Sequence, residues 1–315
     1  MTKGISIIIP LYNEAEGIAV LVNSLNDFFA DKNETPIEII FVNDGSTDSS
    51  FEILKQQSFK KYSVQLISFS KNFGSHAALR AGILNAKMEY VTFMYADLQD
   101  PLELVFQMHT EAIKGVDIIW ANRNNTNNSF FEKLFSGFYA KLMQKFAFSN
   151  FPDKGFDIVF FNSKVTQQIN DNIESNSSIF LQILGMGFSQ TSILYDKKER
   201  KIGKSKWTIS KKIKLLIDSF VAFSYAPIRF VSLVGILFFT FGILWTIYII
   251  ARKIIFDDLA SGWPALTSIL LLGFGVTNIG LGIIAEYLWR TLDASRKRPV
   301  FIIDEIVELN NPDAK

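Results

Sequence analysis

The sequence predicts an α/β fold with a mostly parallel sheet, followed by a membrane-associated part made of helices. Over the first two-thirds of the 315 residues, short β-branched runs alternate with segments of helical period. This alternation is typical of a parallel sheet with helices on both faces. The runs are almost continuously apolar, as strands buried on both faces are. Two long uncharged stretches follow toward the C-terminus.

Seven strands are predicted before these stretches, with helices between the first five and a further helix that contains Lys133. The strands are Ile5–Pro10, Ile37–Val42, Val64–Phe69, Tyr90–Tyr95, Val116–Ala121, Ile158–Phe161 and Thr191–Leu194. The helices are Gly17–Ala30, Ser49–Gln57, Ser75–Ala86 and Leu102–Lys114. Two histidines, His76 and His109, fall on these helices and are predicted to be surface residues without a role.

Polar residues follow each of the first five predicted strands. They are Tyr12–Glu14, Asn43–Ser46, Ser70–Asn72, Asp97–Asp100 and Asn122–Arg123. In parallel α/β sheets, ligands bind beyond the carboxyl ends of the strands. We therefore expect these five groups to converge on one cleft.

The composition excludes several classes of protein. Apolar residues make up 49% of the chain and the mean hydropathy is +0.20, which is high for a wholly soluble protein. The net charge of +1 gives no electrostatic reason to expect nucleic acid binding. The absence of cysteine excludes disulfides and thiolate chemistry and fits a reducing compartment. Residues 1–9 are too short an apolar stretch for a signal peptide, so the N-terminal part is expected to be cytoplasmic.

The last third of the chain predicts attachment to a membrane. Phe230–Ala251 and Pro264–Ala285 are uncharged runs of 22 residues. As helices they span roughly 33 Å each, enough for a hydrocarbon core of about 30 Å. From Ile209 to Phe223, apolar residues recur at helical spacing opposite lysines, as in a helix lying in the membrane interface. Residues 197–214 carry nine Lys/Arg against one acid, a pattern suited to anionic headgroups and to a lipid phosphate.

These features divide the chain into four parts. Residues 1–207 form the predicted cytoplasmic domain and 208–228 the interfacial amphipathic helix. Residues 229–289 form a hairpin of two transmembrane helices, and 290–315 a cytoplasmic tail. Basic residues flank the hairpin on both outer sides, whereas its connecting segment is balanced in charge, so the positive-inside bias places both flanks in the cytoplasm. The spans also offer a surface for a homo-oligomer.

The first strand–helix turn excludes two common nucleotide sites. Pro10-Leu11-Tyr12-Asn13-Glu14 contains neither the dinucleotide G-x-G-x-x-G pattern nor a P-loop. After the second strand, Asp44 has two interpretations. It is either a turn residue or a carboxylate that accepts hydrogen bonds from a base or ribose.

The stretch Asp97-Leu98-Gln99-Asp100 predicts a divalent cation site. Hard cations bind oxygen ligands, and often keep waters and substrate phosphates as the remaining ligands. Asp97 and Gln99 lie two residues apart at a strand end, so their side chains can point the same way. Asp100-Pro101 is typical of a helix N-cap followed by proline at the first helical position. We therefore assign cation binding to Asp97 and Gln99, and helix capping to Asp100.

Taken together, the motifs resemble those of the family 2 inverting glycosyltransferases, most closely the branch that acts on polyprenyl phosphates. The matching stretches are Pro10–Glu14, Val42–Ser46, Ser70–Gly74, Ala96–Pro101, Gly155–Lys164, Arg200–Trp207 and Arg298–Pro299, together with the two apolar runs. The resemblance covers essentially residues 4–303. It implies a nucleotide-sugar-binding sheet of the glycosyltransferase A type.

The resemblance also implies roles for individual residues. Those expected to hold the nucleotide base and ribose are Pro10, Tyr12, Asn13, Glu14 and Asp44. Asp97 and Gln99 hold Mg²⁺ or Mn²⁺ on the diphosphate, which makes Asp97 catalytic. Asp157, located by counting back from Asn162–Lys164, orients the acceptor or sugar, or acts as a base. Those expected to contact phosphates or the acceptor are Arg123, Lys133, Arg200, Ser205 and Lys206.

Two positions depart from the family's pattern. Val159 stands where the family has an arginine, so another residue must supply that charge. Tyr95 stands where relatives often have an aspartate, which removes a negative charge from the cleft. This change is expected to weaken metal binding or to reshape the donor pocket.

The expected activity is transfer of one sugar from a nucleotide-sugar, UDP-linked rather than GDP-linked, to undecaprenyl phosphate with inversion. It would take place at the cytoplasmic face of a bacterial inner membrane. The alternatives are a catalytically impaired, membrane-anchored protein that binds nucleotide-sugars, or a transferase for another lipid or glycan acceptor. Processive synthases carry more spans and a Gln-x-x-Arg-Trp motif, and a sugar nucleotidyltransferase needs a glycine-rich first loop; this sequence contains neither feature.

Overall fold

A computed structural model describes residues 2–30, 32, 35–124, 130–152, 156–173, 178–198, 223–224, 226–256, 262–296 and 299–309. The chain divides into two compact units. Met1–Lys214 and Pro299–Lys315 form the first, and Leu215–Arg298 forms the second. The first unit therefore contains both ends of the chain.

Within the described residues, eight strands form one sheet. They are β1 (Thr2–Leu11), β2 (Ile37–Asn43), β3 (Ser63–Phe69), β4 (Met88–Phe93), β5 (Ile118–Arg123), β6 (Ile158–Asn162), β7 (Gln190–Tyr195) and β8 (Ile303–Leu309). Their order across the sheet is β7-β5-β6-β4-β1-β2-β3-β8. The central strands β3, β2, β1 and β4 are parallel, and β7 is parallel to β5. Strands β6 and β8 are antiparallel to their neighbours. The predicted mostly parallel α/β sheet is confirmed.

Helices connect the strands. In the first unit they are α1 (Ile18–Phe29), α2 (Ser50–Lys55), α3 (Ser75–Asn85), α4 (Glu103–Ile113), α5 (Phe130–Phe146), α6 (Ser163–Asp171) and α7 (Ile179–Leu184). The central strands are buried along almost their whole length because helices cover both faces. Leu21, Leu25 and Phe29 of α1 are buried in the main core cluster. Helix α3 packs closely on β1, where a Cβ at Gly82 would lie 2.3 Å from an Ile8 side-chain carbon.

The C-terminal ends of six strands lie at the same edge of the sheet, here called the carboxyl edge. It comprises the C-terminal ends of β1 to β5 and of β7. Because β6 and β8 run in the opposite direction, their N-terminal ends lie at this edge as well. The sheet therefore brings the residues that follow β1, β2, β4 and β5 to one side, together with Asp157 just before β6.

The two histidines, predicted to be surface residues, are half-buried, and each packs against an aromatic ring. The Nδ1 atom of His76 accepts the backbone N–H of Ile179 at 3.4 Å, and its ring lies 6.0 Å from that of Phe180. Burial, together with the nearby charge of Arg80, lowers the pKa of His76 to about 4. The ring of His109 packs on Tyr90 at 5.2 Å. Helix α7, which was not predicted, supplies both of these contacts to His76.

The second unit contains two long helices, α8 (Ala226–Phe256) and α9 (Trp263–Ser295). Within them, Arg229–Arg252 and Leu272–Trp289 are long and apolar enough to cross a membrane, judged by length and composition. Large apolar side chains are exposed along both, among them Phe230, Phe241 and Leu281. The predicted interfacial helix, 208–228, lies almost wholly outside the described residues.

The predicted C-terminal tail contributes a strand to the sheet. Strand β8 pairs with β3 from Val64↔Leu309 to Phe69↔Ile303. The Phe301 ring stacks on Phe69 with centroids 5.2 Å apart, and Lys55 forms an ion pair with Glu305 at 2.8 Å. The sequence of β8, Ile-Asp-Glu-Ile-Val-Glu-Leu, is rich in acids and suits an edge strand, because charge at an edge opposes further pairing.

A chain that ends after residue 298 is expected to lose stability in the first unit. Six residue pairs link β8 to β3, and at about one hydrogen bond per pair and about 0.5–1.5 kcal/mol net per bond their loss costs roughly 3–9 kcal/mol. Thermal unfolding of the detergent-solubilised protein should begin roughly 10 °C lower. A control chain that ends after residue 309 keeps β8 and should unfold like the full chain. Equal midpoints for the two truncations would contradict the structural role of β8.

Candidate active site

The turns after β1 and β2 are bonded into one unit at the carboxyl edge. Asn13 has a left-handed backbone conformation with φ 52°, which asparagine tolerates better than most residues. Its side-chain oxygen accepts the N–H of Thr47 at 2.8 Å, and its own N–H donates to Ser46 Oγ at 2.9 Å. The N–H of Glu14 donates to Ser50 Oγ at 2.9 Å. Asn13 and Glu14, two of the residues predicted to hold the nucleoside, are thus bonded to the turn that follows β2.

Asp44 organises the loop that follows β3. Its buried carboxylate accepts the backbone N–H groups of Phe73 at 2.7 Å and Gly74 at 3.0 Å. Burial raises the pKa of Asp44, against the opposing effect of these two hydrogen bonds. Gly45 has φ 61°, and a Cβ there would lie 2.2 Å from the Lys71 carbonyl carbon, so glycine is required. Both sequence interpretations of Asp44 are compatible, because a carboxylate has about four acceptor positions.

Asp97 and Gln99 lie in a tight turn after β4. Leu98 between them has φ 53°, an uncommon conformation for a large side chain. The N–H of Gln99 donates to Asp97 Oδ1 at 3.3 Å. Both side chains are half-buried. Strained residues of this kind are concentrated at ligand sites, which agrees with the predicted position of the cation site.

Asp100 does not cap the following helix, and this part of the sequence analysis is wrong. Helix α4 begins at Glu103, and its N-cap residue is Leu102, which makes no side-chain capping bond. Asp100 is 2% exposed and its Oδ1 accepts the Tyr195 hydroxyl at 2.6 Å. Lys197 Nζ lies 3.3 Å from the same oxygen. The carboxylate of Asp100 thus binds a side chain of β7 and not the first turn of α4. Its burial raises the pKa of Asp100, against the opposing effects of Lys197 and Tyr195.

Arg123 and Asp157 form a bidentate ion pair. Arg123 ends β5 and Asp157 precedes β6, so the pairing of these two strands brings the side chains together. Arg123 Nε donates to Asp157 Oδ2 at 2.5 Å, and Arg123 Nη2 donates to Asp157 Oδ1. Burial disfavours the charged form of Arg123. The hydrogen bond and the charge of Asp157 outweigh this effect, so the pKa of Arg123 is raised. Val159 is fully buried in β6, so Arg123 is the described residue that places positive charge beside Asp157.

Tyr95 contributes a neutral hydroxyl to a group of acids. Burial raises its pKa, and the charges of Asp100, Asp157 and Asp97 raise it further. The phenol is therefore un-ionised at neutral pH. Tyr95 thus takes part in the electrostatics of the site without adding the negative charge that an aspartate would add.

Several predicted residues cannot be placed in this site. Arg200, Ser205 and Lys206 lie outside the described residues, as does the side chain of Lys133. Among the residues that the structure describes, no group of three or more His, Cys, Asp or Glu side chains is arranged to hold a metal ion. A cation at Asp97 and Gln99 would therefore take its other ligands from a substrate or from water.

Three residues of the site were missed or misassigned from the sequence: Asp100, Tyr195 and Lys197. The available signal was the group Tyr195-Asp196-Lys197 at the end of a predicted strand. Such polar groups had marked the ends of the other parallel strands. The parallel pairing of β7 with β5 brings this seventh strand end to the same edge.

Comparison with known proteins identifies the family. The sequence profile of glycosyl transferase family 2 matches residues 6–173. The chain belongs to this family. The putative glycosyltransferase CsbB of Bacillus subtilis is 34% identical, over 96% of this chain and 91% of its own. The prophage bactoprenol glucosyl transferase homolog of Escherichia coli is 30% identical, over 96% and 99%. The undecaprenyl-phosphate 4-deoxy-4-formamido-L-arabinose transferase of Edwardsiella ictaluri is 28% identical, over 98% and 96%.

The family 2 membership confirms that the chain is a glycosyltransferase. The similarity spans nearly the whole chain, so it includes the C-terminal helices as well as the sheet. The resemblance to the polyprenyl-phosphate branch, stated from the motifs, is confirmed by the relatives. The sheet is that of a glycosyltransferase A-type domain.

Proposed function

We propose that this family 2 enzyme transfers a single sugar from a nucleotide-sugar to a polyprenyl phosphate, with inversion at the anomeric carbon. Two relatives over nearly the full length bear names that include bactoprenol or undecaprenyl phosphate. The observation that carries the proposal is the grouping of Asp97, Gln99, Arg123 and Asp157 at one edge of the sheet. Helices α8 and α9 are long and apolar enough to support attachment to a membrane. We propose that this is a bacterial inner membrane and that the sheet lies on its cytoplasmic side.

The donor nucleoside is proposed to bind at the joined turns after β1 and β2. Pro10, Tyr12, Asn13 and Glu14 form the first of these turns, and hydrogen bonds of Asn13 and Glu14 with Ser46, Thr47 and Ser50 join it to the second. Asp44 keeps acceptor capacity for a ribose hydroxyl or base N–H. We propose a UDP-sugar over a GDP-sugar, and we leave the sugar itself to the donor panel described below.

The residues present fit Mg²⁺ or Mn²⁺. Asp97 offers a carboxylate and Gln99 an amide oxygen, the ligand types that these hard cations prefer. When bound, the ion would neutralise charge on the leaving nucleoside diphosphate. Arg123 adds a fixed positive charge at the same edge, because its guanidinium is held by Asp157. Such prearranged charge stabilises the charge that develops on a leaving group.

Asp157 is proposed to orient the sugar or acceptor. The acceptor, a phosphate monoester, is already an anion near pH 7, so it needs little help from a general base. Both oxygens of Asp157 accept from Arg123, which leaves fewer positions to receive a proton. The ion pair therefore suits an orienting role for Asp157, in which it directs Arg123 toward a phosphate, better than a role as general base.

A catalytically impaired member of the family that binds nucleotide-sugars is the second candidate, and Tyr95 is the observation that favours it. The neutral phenol replaces a possible metal-binding carboxylate. The negative charges that act on Tyr95 come from Asp97, Asp100 and Asp157. The two candidates share nucleotide-sugar binding and differ in whether the diphosphate is released.

Release of the nucleoside diphosphate tests the proposal. The full chain is placed in liposomes that contain undecaprenyl phosphate and is supplied with UDP- and GDP-sugars, with Mg²⁺ or Mn²⁺. We expect UDP release that requires both the lipid phosphate and the divalent ion. Liposomes with phosphatidylglycerol but no polyprenyl phosphate are the control. Donor binding without release for any donor and lipid phosphate would instead support the catalytically impaired member.

A further inference from the structure

One side of helix α5 carries exposed aromatic rings beside lysines. Phe138 is 58% exposed and Phe146 is 43% exposed, and Lys141 and Lys145 are exposed as well. Residues 138, 141 and 145 follow one another at intervals of three and four, so they lie along one side of the helix, and Phe146 borders them. We call these four residues the α5 face.

The opposite side of α5 packs on the first unit. Met143 is fully buried, and Gln144 Nε2 donates to the Phe151 carbonyl at 2.7 Å. The Phe151 ring lies 4.9 Å from that of Phe156, which in turn lies 4.5 Å from that of Trp120 in β5. These contacts attach the helix by one side, so the α5 face is directed outward.

The α5 face carries positive charge that is not balanced by acids. Over Ser136–Phe146 the sequence has two lysines and no acid. Elsewhere in the first unit, Lys87 and Lys114 each form an ion pair with a glutamate. Among the residues that the structure describes, Lys141 and Lys145 form none. Their charge is therefore available to an anion outside the first unit.

The combination of rings and lysines indicates the kind of partner. Exposed apolar side chains that are scattered singly need no explanation, but Phe138 and Phe146 lie on one side of one helix with lysines between them. Helices that lie in a membrane interface have this composition, since aromatic rings enter the acyl boundary while lysines extend to the lipid phosphates. Lys145 Nζ lies 5.3 Å from the centroid of the Phe146 ring, so the cation and the ring are adjacent on this surface.

A lipid surface suits the α5 face better than a second copy of the chain. A symmetric dimer contact pairs the same patch on both copies, which here would bring Lys141 and Lys145 against the lysines of the other copy. Anionic headgroups offer the opposite charge, with an apolar layer beneath them. Helices α8 and α9 are long and apolar enough to tether the chain to a membrane, and for a tethered unit a weak contact is sufficient.

We propose that the α5 face docks on anionic membrane lipids, with Phe138 and Phe146 inserted among the headgroups and Lys141 and Lys145 at their phosphates. This contact is additional to the two apolar helices and orients the first unit on the bilayer. It rests on the proposed attachment to a membrane, and it does not depend on which sugar or acceptor the enzyme uses.

A fluorescent label at position 138 tests this inference. Because the chain has no cysteine, Phe138→Cys in the full chain provides a single attachment site for the fluorophore NBD. The protein is placed in nanodiscs, one chain per disc, made of phosphatidylcholine with or without phosphatidylglycerol, and a nitroxide-labelled lipid serves as the quencher. In discs that contain phosphatidylglycerol we expect blue-shifted emission that the nitroxide quenches, from a label about 5–10 Å into the headgroup layer.

Removal of the lysine charges provides the second arm of the test. Lys141→Gln combined with Lys145→Gln should lower the ratio of docked to undocked label roughly 30-fold, at about 5-fold for each lysine near an anionic surface. Lys3→Gln combined with Lys60→Gln is the matched control, because these exposed lysines lie outside α5 and their loss changes the net charge equally. The control should leave the emission of the label unchanged.

A second labelled position separates docking by α5 from unspecific adsorption. Ile113 is apolar and 66% exposed, and it ends α4 at the edge of the sheet where β5 begins, opposite the carboxyl edge. A label on Ile113→Cys should keep the emission of a fluorophore in water in every disc.

Four results would overturn the inference. They are water-like emission from position 138 in every disc, equal quenching at positions 138 and 113, equal docking with and without phosphatidylglycerol, and blue-shifted emission that the nitroxide lipid does not quench. The last result would show that another protein surface covers the α5 face. The proposed function fails separately, when no nucleoside diphosphate is released in the liposome assay, because the label reports docking without any donor.

Discussion

Asp97→Asn is expected to lower the rate of sugar transfer by about 10²–10³-fold, comparable to the loss of one main group that stabilises charge in a transition state. Asparagine keeps the side-chain oxygen that accepts the Gln99 N–H, so the tight turn around Leu98 should persist. The substitution removes the charged ligand proposed for the cation and leaves only neutral side-chain oxygens at this turn.

Transfer rates measured across a Mn²⁺ series test this expectation. The variant should need a higher Mn²⁺ concentration for half-maximal activity, and its rate should stay low when the ion is saturating. Asp27→Asn is the matched control, since Asp27 is an exposed carboxylate on α1 and its loss changes the net charge equally. A variant with the original rate and the original Mn²⁺ dependence would remove Asp97 from the site.

Asp157→Asn is expected to lower the transfer rate by at least about 10²-fold, because a small displacement of an orienting group is enough for such a loss. The bidentate ion pair would be reduced to one ordinary hydrogen bond, and Arg123 would be free to change its direction. Stability should also fall by about 1–3 kcal/mol, less than for a fully buried pair because roughly a third of the Arg123 side chain is exposed.

A double-mutant cycle separates these two effects. Arg123→Gln alone should destabilise the domain by leaving Asp157, which is 7% exposed, without its cation. Asp157→Asn combined with Arg123→Gln should destabilise it less than the sum of the single changes, because the two groups interact directly. All three variants should have low transfer rates. Recovery of activity in the double variant would mean that the pair serves stability and not transfer.

The central sheet could be predicted from the sequence because its strands are nearly continuous apolar runs. Predicted Ile37–Val42 and Val64–Phe69 correspond to β2 and β3 to within one residue at each end. Strand β8 could not be predicted in this way. It is an edge strand with three acids in seven residues, and it follows α9 without any repeat of the strand–helix pattern. Its pairing with β3 joins residues far apart in the chain.

The described residues of the predicted site lie at one edge of the sheet, but most of the contacts between them were not predicted. Arg123 and Asp157 were each identified, but their ion pair depends on β6 lying between β4 and β5, an order that the sequence does not reveal. Asp100 was misassigned because aspartate before proline is the usual signal of a helix start. Its true partner, Tyr195, lies 95 residues away. Local rules identify strand ends, whereas contacts between those ends depend on the order of the strands.

The central claim is that one sugar is joined to a polyprenyl phosphate, and the mass of the lipid product tests it most directly. The full chain in liposomes receives undecaprenyl phosphate and a mixture of nucleotide-sugars, and the extracted lipids are analysed by mass spectrometry. We predict a new lipid heavier than undecaprenyl phosphate by one sugar residue, present with the original chain and reduced to trace amounts with Asp97→Asn. Undecaprenyl phosphate without added sugar, or lipids carrying a series of several sugars, would contradict the claim.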